Sequence, residues 1–409
     1  MAQIYQNAVC VIAAAAGRDS HSGCFSERDP LICAKCRIGG NVYVTSLHQD
    51  GEAVVLHTNE ETENSRLGHR GWVFQERLLA RRTLIFGRRG IFWECFSGQA
   101  SELDPEGVGV LRDPAGNITS VFKIFGSNSL LNTRTGPTDE TFTDQISFRF
   151  LLESTTPTNA IQLQLFRKHW THIVWKYSLC DLTKAEDKLI ALSGLAQRVR
   201  ERTGFQYLAG LWLPNVLFDL MWYTATYSEG TRSPEYRAPT WSWAVMDGPV
   251  TFSSHAFSQD VYTPLVSSIS TDIVCHPSDH NMVGQVFHAV LGLIGRLGTV
   301  RVTFHPITVP RLQLVLFEEL GETFSALDIH VEEGSFIHLL PLSYTDSAIG
   351  RNSRGLPLRG FSVQCLVLSQ SAGSDWFERV GMAELWFVSR MGFDTWLDGL
   401  SEEQEISIR

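Results

Sequence analysis

The chain has 409 residues, of which 44% are hydrophobic, and its formal net charge is −10. This length and apolar content suffice for two or three domains with substantial cores. The acidic balance argues against general binding to nucleic acid or to an anionic membrane surface, because both attract positively charged proteins. Eight cysteines are too few for a disulfide scaffold, so we expect reduced thiols and a soluble, cytoplasmic protein.

The N-terminal residues predict a short helix followed by a strand. AQIYQNA has a helical pattern, and the apolar run VCVIAAAAG at residues 9–17 is typical of a strand buried on both faces. The run is shorter than the about 18 residues needed to cross a bilayer. No Lys or Arg lies in residues 1–17 to form the basic region of a signal peptide. We therefore expect no membrane span.

The next part of the chain predicts short strands, a helix and a hairpin. NVYVTSL and AVVLHT are strand candidates, and RGWVFQERLLARR at residues 70–82 has the composition of an aromatic helix. TLIF and IFWEC predict the two strands of a hairpin, because GRRG between them supplies two glycines for the connection. Residues 101–145 show no period and predict a loop or an insertion.

The middle of the chain predicts helices, and the C-terminal part predicts strands. Residues 158–203 and the segment VLFDLMWYTA have helical patterns, with Leu195, Ala196 and Val199 at helical spacing. From Ala238 onward, apolar segments such as WSWAV, FSVQCLVL and AELWFVS alternate with turn residues, which is typical of an antiparallel sandwich or barrel. We predict an α+β fold with four segments: residues 1–105, a loop or insertion at 106–157, a helical region at 158–235 and a β-rich domain at 236–409.

Several segments resemble the fungal heterokaryon-incompatibility (HET) domain proteins. MAQIYQNAVCVIAAAAGRDSHSGCFSERDP is similar to the closing motif of the HET domain, and RGWVFQERLLARRTLIFGRRGIFWEC is similar to the segment that follows the domain. YSLCDLTKAEDKLIALSGLA, YLAGLW and YRAPTWSWAVMDGPVTF match blocks found downstream in the same order, and CLVLSQ and FERVGMAELW are weaker matches. The resemblance runs over most of the chain.

The resemblance implies that residues 1–105 hold a partial α/β remnant of a TIR-like HET domain, for which NAD cleavage is the suspected chemistry. The family's opening motifs, Ser–Tyr–x–Trp–Gly and Trp–Ile–Asp–x–x–Cys–Ile, are absent, and Met1 falls on a Met inside the closing motif. We therefore expect a truncated product or a start upstream of Met1. On this basis we carry over no catalytic or cofactor-binding residue and expect no cofactor.

The resemblance also identifies family-motif residues, for which we expect structural roles. They are Tyr5, Asn7, Ala8, Arg70, Gly71, Trp72, Gln75, Glu76, Arg77, Arg81, Trp93, Glu94, Cys95, Asp187, Gly194, Trp241 and Trp243.

Positive charge is concentrated around the predicted aromatic helix. Residues 66–89 contain seven Arg and a single acid, Glu76. Arg77 and Arg81 are four residues apart, which predicts that they share one helix face and repel each other. We favour pairing with carboxylates from elsewhere, for example Glu60, Glu61 and Glu63, and a Glu76 that is buried and satisfied by Arg. The alternative is a patch that binds phosphate or carboxylate, since a guanidinium grips oxyanions with two donors.

A second candidate site is a metal site near the N-terminus. The residues His21, Cys24, Cys33 and Cys36 form H-x2-C-x8-C-x2-C, which offers four ligand types that zinc accepts. Only one C-x-x-C pair is present, whereas structural zinc sites usually have two tight pairs. We therefore predict no metal and keep this set as an alternative. CHPSDH, which contains Cys275, His276 and His280, is a weaker candidate of the same kind.

Other candidate residues have ordinary structural explanations. A nucleophilic Cys95 would need a base such as His69 and a lowered pKa, so a small buried thiol is the preferred interpretation. Trp241 and Trp243 at alternate positions predict one face of a strand, where they fill a core or stack on sugars or bases. The signatures G-x-x-x-x-G-K-[ST], G-x-S-x-G and H-E-x-x-H are absent from the sequence.

Three functional hypotheses follow. The first is a heterokaryon-incompatibility protein, linked to non-self recognition and programmed cell death, that acts as a non-enzymatic module with a protein partner. The second is a TIR-like NAD hydrolase whose complete domain begins upstream. The third is a small-molecule or glycan binder that uses the β-rich domain.

Overall fold

The structure is a computed structural model. It describes residues 1–28, 36–39, 42–44, 62, 64–95, 98–102, 105, 108–112, 118–123, 157, 159–224, 230–253, 262–275, 283–304, 315–317, 323–351, 357–370 and 373–409. The fold is α+β with a β-rich C-terminal region, which confirms the predicted class. The chain divides into two compact units: residues 1–172, 180–184 and 191–204 form the first, and residues 173–179, 185–190 and 205–409 form the second. The four-segment division stays a prediction.

The first unit contains a six-stranded sheet and a two-stranded one. The larger sheet has the strand order β1-β4-β5-β6-β7-β8, with bounds β1 Val11–Ala13, β4 Arg82–Phe86, β5 Ile91–Cys95, β6 Gly98–Ser101, β7 Val108–Arg112 and β8 Ile118–Lys123. Strand β1 runs parallel to β4, and the other described pairs are antiparallel. The β4–β5 pair confirms the predicted hairpin, which closes with a bond from Gly87 N to Gly90 O at 2.9 Å. The smaller sheet pairs β2 (Cys36–Gly39) with β3 (Val42–Val44).

Two expectations for this unit were wrong. Strand β1 is not buried on both faces, because Ile12 on one of those faces is 63% exposed. The strand lies at one edge of the described sheet. Strands β7 and β8 lie inside the stretch that we predicted as loop; their residues pair with each other along the sheet even though their sequence lacks a strong alternation. The predicted strand AVVLHT lies outside the described residues.

Helices occur near the N-terminus, in the middle of the chain and near its end. Their bounds are α1 Ala2–Asn7, α2 Gly71–Leu79, α3 Ala160–Ser178, α4 Ser193–Thr203, α5 Val216–Asp219 and α6 Arg390–Asp398. Residues 184–203 do not form one helix, since two 3-10 turns, Ala185–Lys188 and Ile190–Leu192, precede α4. Helix α4 ends at Gly204, whose φ of 71° is the left-handed conformation typical of a glycine cap.

The second unit is dominated by a ten-stranded sheet. The main strand order is β14-β15-β22-β21-β20-β19-β16-β17, while β13 pairs with β19 and β18 pairs with β21. The bounds are β13 Thr263–Pro264, β14 Ser268–Cys275, β15 Val286–Gly295, β16 Gly298–Phe304, β17 Val315–Phe317, β18 Thr323–Leu327, β19 Phe336–Arg351, β20 Pro357–Gln370, β21 Trp376–Phe387 and β22 Gln404–Ile408. Over the described strands this sheet does not close on itself.

One face of this sheet carries a hydrophobic core of the second unit. Side chains from β19, β20 and β21, including Leu339, Val363 and Leu385, pack there with helix α6. The ring of Phe393 on α6 stacks on Phe361, with a centroid distance of 5.2 Å and an interplanar angle of 12°. Burial of these aliphatic and aromatic side chains is the main favourable contribution to folding.

Two further predictions in the second unit were wrong. The helix predicted for VLFDLMWYTA is limited to α5, because Trp222–Thr224 forms strand β11, which pairs with β12 (Val250–Phe252). The predicted strand WSWAV is a turn followed by a 3-10 helix, Trp243–Val245, because the Ser242 hydroxyl accepts a bond from Ala244 N and caps that helix. Two short strands, β9 (Tyr207–Leu208) and β10 (Leu211–Trp212), form a separate hairpin.

Candidate functional site

The first turn of helix α2 is fixed by a segment more than a hundred residues away in the chain. Asp181 N donates to His69 O at 2.6 Å, and Gly71 N donates to Asp181 O at 2.9 Å. The Cys180 thiol donates to Gly68 O at 3.7 Å. The segment at residues 180–182 therefore holds the turn at residues 70–72 in place by backbone hydrogen bonds. Two motifs that lie far apart in the sequence thus form one local structure at the start of α2.

Gln75 joins α2 to helix α4. Its side chain is 2% exposed, and its Oε1 accepts a hydrogen bond from Gly194 N at 2.8 Å. A Cβ at Gly194 would lie 2.3 Å from Ala2 Cβ and 2.7 Å from Gln75 Oε1. Only glycine therefore permits this close approach of α1, α2 and α4.

Arg77 and Glu94 form a buried ion pair between helix α2 and strand β5. Arg77 Nε lies 3.0 Å from Glu94 Oε2, and Arg77 Nη2 lies 3.3 Å from Glu94 Oε1, so the guanidinium binds the carboxylate with two donors. The Glu94 side chain is fully buried, whereas the Arg77 side chain is 13% exposed. This geometry gives Arg77 a structural partner 17 residues away.

Sequence reasoning missed two buried polar residues beside this pair. In the register of β4, β5 and β6, Thr83 lies opposite Glu94, and Glu94 lies opposite Gln99. Thr83 is 2% exposed and Gln99 is 3% exposed. The Thr83 hydroxyl and both polar atoms of the Gln99 amide have no hydrogen-bond partner among the described residues. Period-two alternation in TLIF was the available signal, since it places Thr83 and Ile85 on the same face.

Tyr5 and Glu76 connect helix α1 to helix α2. The Tyr5 hydroxyl donates to the Glu76 carboxylate, and Arg70 lies close enough to interact electrostatically. Burial raises the pKa of Tyr5 to about 12, the bond to Glu76 and its negative charge raise it as well, and Arg70 opposes the change. The partner of the Glu76 carboxylate is thus a tyrosine, where we had expected an arginine, and Glu76 is half-buried.

Arg77 and Arg81 do not share a helix face, so that prediction was wrong. Helix α2 ends at Leu79, and Ala80 is extended, which puts Arg81 outside the helix with an exposed side chain. Glu60, Glu61 and Glu63, which we expected to pair with the arginines, lie outside the described residues. Glu94 instead supplies the carboxylate for Arg77.

The prediction of no metal, with His21, Cys24, Cys33 and Cys36 as the alternative zinc set, stays a prediction. His21 is exposed and Cys24 is half-buried, while Cys33 lies outside the described residues and only the backbone of Cys36 is described. In the described part of the chain, no group of three or more His, Cys, Asp or Glu residues is arranged to hold a metal ion. His276 and His280 also lie outside it.

The remaining candidates have local partners or lie in the core. The Cys95 thiol donates to Gly98 O at 3.4 Å, and the His69 ring lies 2.7 Å from Ser65 O through Nδ1. Trp241 and Trp243 are fully buried in the second unit, and Trp243 Nε1 donates to Gly210 O at 3.0 Å. The other motif residues range from exposed to buried: Asn7 is exposed, Ala8, Trp72, Trp93 and Asp187 are half-buried, and Gly71 is buried.

The carboxylates around α2 bind neighbouring side chains in pairs. Both oxygens of Glu94 are occupied by Arg77, and the Glu76 carboxylate accepts from Tyr5. Arg70, Arg81 and Arg82 are exposed and available to an anionic or polar surface. We name the residues Tyr5, Arg70, Gln75, Glu76, Arg77 and Glu94 the α2 cluster.

Comparison with known proteins finds one family. Residues 1–76 match the family model described as Heterokaryon incompatibility protein (HET). This confirms the resemblance for residues 1–76, from α1 to the Glu76 position of the α2 cluster, while the resemblance of the downstream blocks stays a prediction. No curated protein matches the chain, and no solved structure matches it. In the described regions, none of the helices combines the length and apolar character required to cross a membrane.

Proposed function

We propose that this chain acts in a heterokaryon-incompatibility response, in which fungal cells recognise non-self and undergo programmed cell death. In this proposal it is a non-enzymatic module that binds a protein partner in the cytoplasm. The single observation that carries the proposal is the match of residues 1–76 to the HET family.

The contacts of the matched segment support a functional unit larger than the match itself. Asp181 binds the backbone on both sides of Arg70, and Gly194 binds Gln75. Residues far outside 1–76 therefore complete the packing of this segment, as expected when the downstream motifs serve the same function.

The state of the carboxylates supports a binding role over catalysis. A general acid or base needs a carboxyl group that can reach a substrate. Glu94 is fully buried and held by Arg77, whereas Arg70 and the half-buried Tyr5 and Glu76 reach the surface together. A mixed charged and aromatic surface of this kind is suited to a protein partner.

The proposal is tested by inducible expression of the 409-residue chain in fungal hyphae. We expect growth arrest and uptake of a vital dye after hyphal fusion. The variant Arg70→Glu should weaken this response, because it reverses an exposed charge without removing a buried contact. Lys184→Glu, at an exposed position outside the α2 cluster, is the matched control and should leave the response unchanged. Equal viability of expressing and non-expressing cells would contradict the proposal.

The enzyme hypothesis gives a different result. Purified chain incubated with NAD releases nicotinamide only if the protein cleaves the glycosidic bond. We expect no release above that of a heat-denatured sample. Steady release that scales with protein concentration would overturn the non-enzymatic part of the proposal and leave its cellular part intact.

A further inference from the structure

Lys188 is a buried cation outside the α2 cluster. It lies in the 3-10 turn Ala185–Lys188 and is 6% exposed. Its ammonium nitrogen donates to Met246 O and lies 5.9 Å from the centroid of the Trp243 ring. Tyr177 OH donates to Lys188 O at 2.7 Å, which fixes the backbone of the turn.

Arg237 brings a second buried cation to the same segment. It is 6% exposed, and its Nε donates to Ala244 O at 2.6 Å. Arg237 Nη1 lies 2.6 Å from Asp247 Oδ1. Arg237 Nη2 is buried and has no hydrogen-bond partner among the described residues. A buried charged nitrogen without an acceptor is costly, so it indicates a missing partner.

Among the described residues, the charges of this group do not balance. Two cations are buried, and Asp247, which interacts with both, is 49% exposed. Within the turn itself Glu186 is exposed and Asp187 is half-buried. The pKa of Lys188 is lowered to about 7, mainly by burial and also by the positive charge of Arg237, while Asp247 opposes the change.

We propose that Lys188 and Arg237 form a binding site for a small oxyanion, either a phosphate or a carboxylate group. The bound oxyanion accepts hydrogen bonds from Arg237 Nη2 and from the Lys188 ammonium, and it compensates the excess positive charge. The Asp247 carboxylate already lies 2.6 Å from Arg237 Nη1, so it is the competing anion for Arg237.

The test uses sulfate as the probe for a phosphate group and acetate as the probe for a carboxylate. Tm is measured at constant ionic strength, because a ligand that binds only the folded state raises Tm. We expect the shift in Tm caused by sulfate or acetate to be much smaller in Lys188→Met, because its affinity is about tenfold weaker. Asp247→Asn removes the competing carboxylate and should enlarge the shift. Lys184→Met, at an exposed lysine of the neighbouring segment, is the control.

The pH dependence gives a second readout that does not rely on a variant. Sulfate keeps its charge over the relevant range, whereas Lys188 loses its proton near pH 7. The affinity of the wild-type chain should therefore be higher at about pH 6 than at about pH 9. An increase in Tm with sulfate alone would indicate a phosphate site. An increase in Tm with both sulfate and acetate would indicate a general oxyanion site. Equal shifts in wild type and Lys188→Met, or no shift at all, would overturn the proposal.

Discussion

Each of the two units contains a buried arginine–carboxylate pair, and the two pairs differ in their access to water. In the first unit the Arg77 side chain is 13% exposed while that of Glu94 is fully buried. In the second unit both members, Arg379 and Asp328, are fully buried. One pair thus keeps a route to solvent, and the other does not.

The fully buried pair is held on several sides but remains incompletely satisfied. Arg379 Nη1 binds Asp328 Oδ2, and Arg379 Nη2 donates to Trp222 O. The guanidinium carbon lies 3.5 Å from the Trp222 ring centroid, a close cation–π contact. Asp328 Oδ1 and Arg379 Nε have no hydrogen-bond partner in the described part of the structure.

The pKa values of the fully buried pair reflect its isolation from water. Burial raises the pKa of Asp328 to about 6, although Arg379 and Arg232 oppose the change. Burial also lowers the pKa of Arg379 to about 10, with Asp328 opposing it. Desolvation therefore outweighs attraction for both members of this pair, so the pair contributes little net stability compared with apolar side chains of similar size. The comparison predicts that removing one partner lowers the free energy of unfolding by an amount that depends on how deeply the remaining partner is buried.

The largest expected effect is that of Asp328→Ala. The substitution leaves the Arg379 charge buried without a counter-ion, and we expect the free energy of unfolding to fall by about 3–5 kcal/mol. Urea denaturation followed by tryptophan fluorescence measures this change. The double variant Asp328→Leu with Arg379→Met removes both charges and should regain most of the loss. A double variant as unstable as the single one would contradict the argument.

The next prediction compares substitutions of the two members of the Arg77–Glu94 pair. Arg77→Met removes the two-donor contact from the fully buried Glu94 carboxylate and should lower the free energy of unfolding by about 2–3 kcal/mol. Glu94→Gln leaves a partly exposed guanidinium facing a neutral amide and should cost about 1 kcal/mol. Denaturation of both variants under identical conditions gives the ranking. The reverse order would show that exposure of the remaining charge does not decide the cost.

The fully buried pair should also make the stability of the chain depend on pH. Because the pKa of Asp328 is about 6 in the folded chain and 3.8 ordinarily, the folded state binds more protons between those values. Its contribution to stability is thus present at low pH and is lost as pH rises through this window, by at most about 1.4 kcal/mol per pH unit. Asp328→Asn should remove this slope from plots of unfolding free energy against pH. A slope unchanged from wild type would assign it to other groups.

The smallest expected effect concerns the exposed edge of the α2 cluster. Glu76→Gln removes the negative charge that raises the pKa of Tyr5, so Tyr5 should ionise at lower pH than in wild type. The unfolding free energy should change by less than about 1 kcal/mol, because Glu76 is only half-buried. Ultraviolet titration of tyrosine ionisation measures the shift, and Tyr5→Phe identifies the signal. Identical titration curves for wild type and Glu76→Gln would refute the contact.

Sequence patterns correctly predicted those helices and hairpins that are determined by residues close together in the chain. The 3.6-residue spacing of Leu195, Ala196 and Val199 identified buried positions of α4, and all three are fully buried. The glycines of GRRG correctly predicted the β4–β5 hairpin. Short apolar runs were ambiguous, so the strand Trp222–Thr224 was assigned to a helix. WSWAV failed because a serine cap overrides the alternation of its tryptophans.

The candidate site was only partly predictable for a related reason. Family motifs identified Arg77 and Glu94, but their pairing depends on the packing of α2 against β5 and not on either motif alone. The partner of Glu76 is Tyr5, which belongs to another helix. Thr83 and Gln99 carry no motif, and only strand register brings them beside Glu94. Long-range pairing of this kind has no signature in a single sequence.

The position of strand β22 has a consequence for biosynthesis. Residues 404–408 lie between β15 and β21, pairing antiparallel with one and parallel with the other. Two halves of the large sheet are thus joined by a strand made more than a hundred residues after β15. While the ribosome is still translating, β15 has an unfilled edge on that side, which invites mispairing with other nascent chains. The β15–β22 pairing therefore has to wait until residues 404–408 have been synthesised, whereas β14 and β15 can pair earlier.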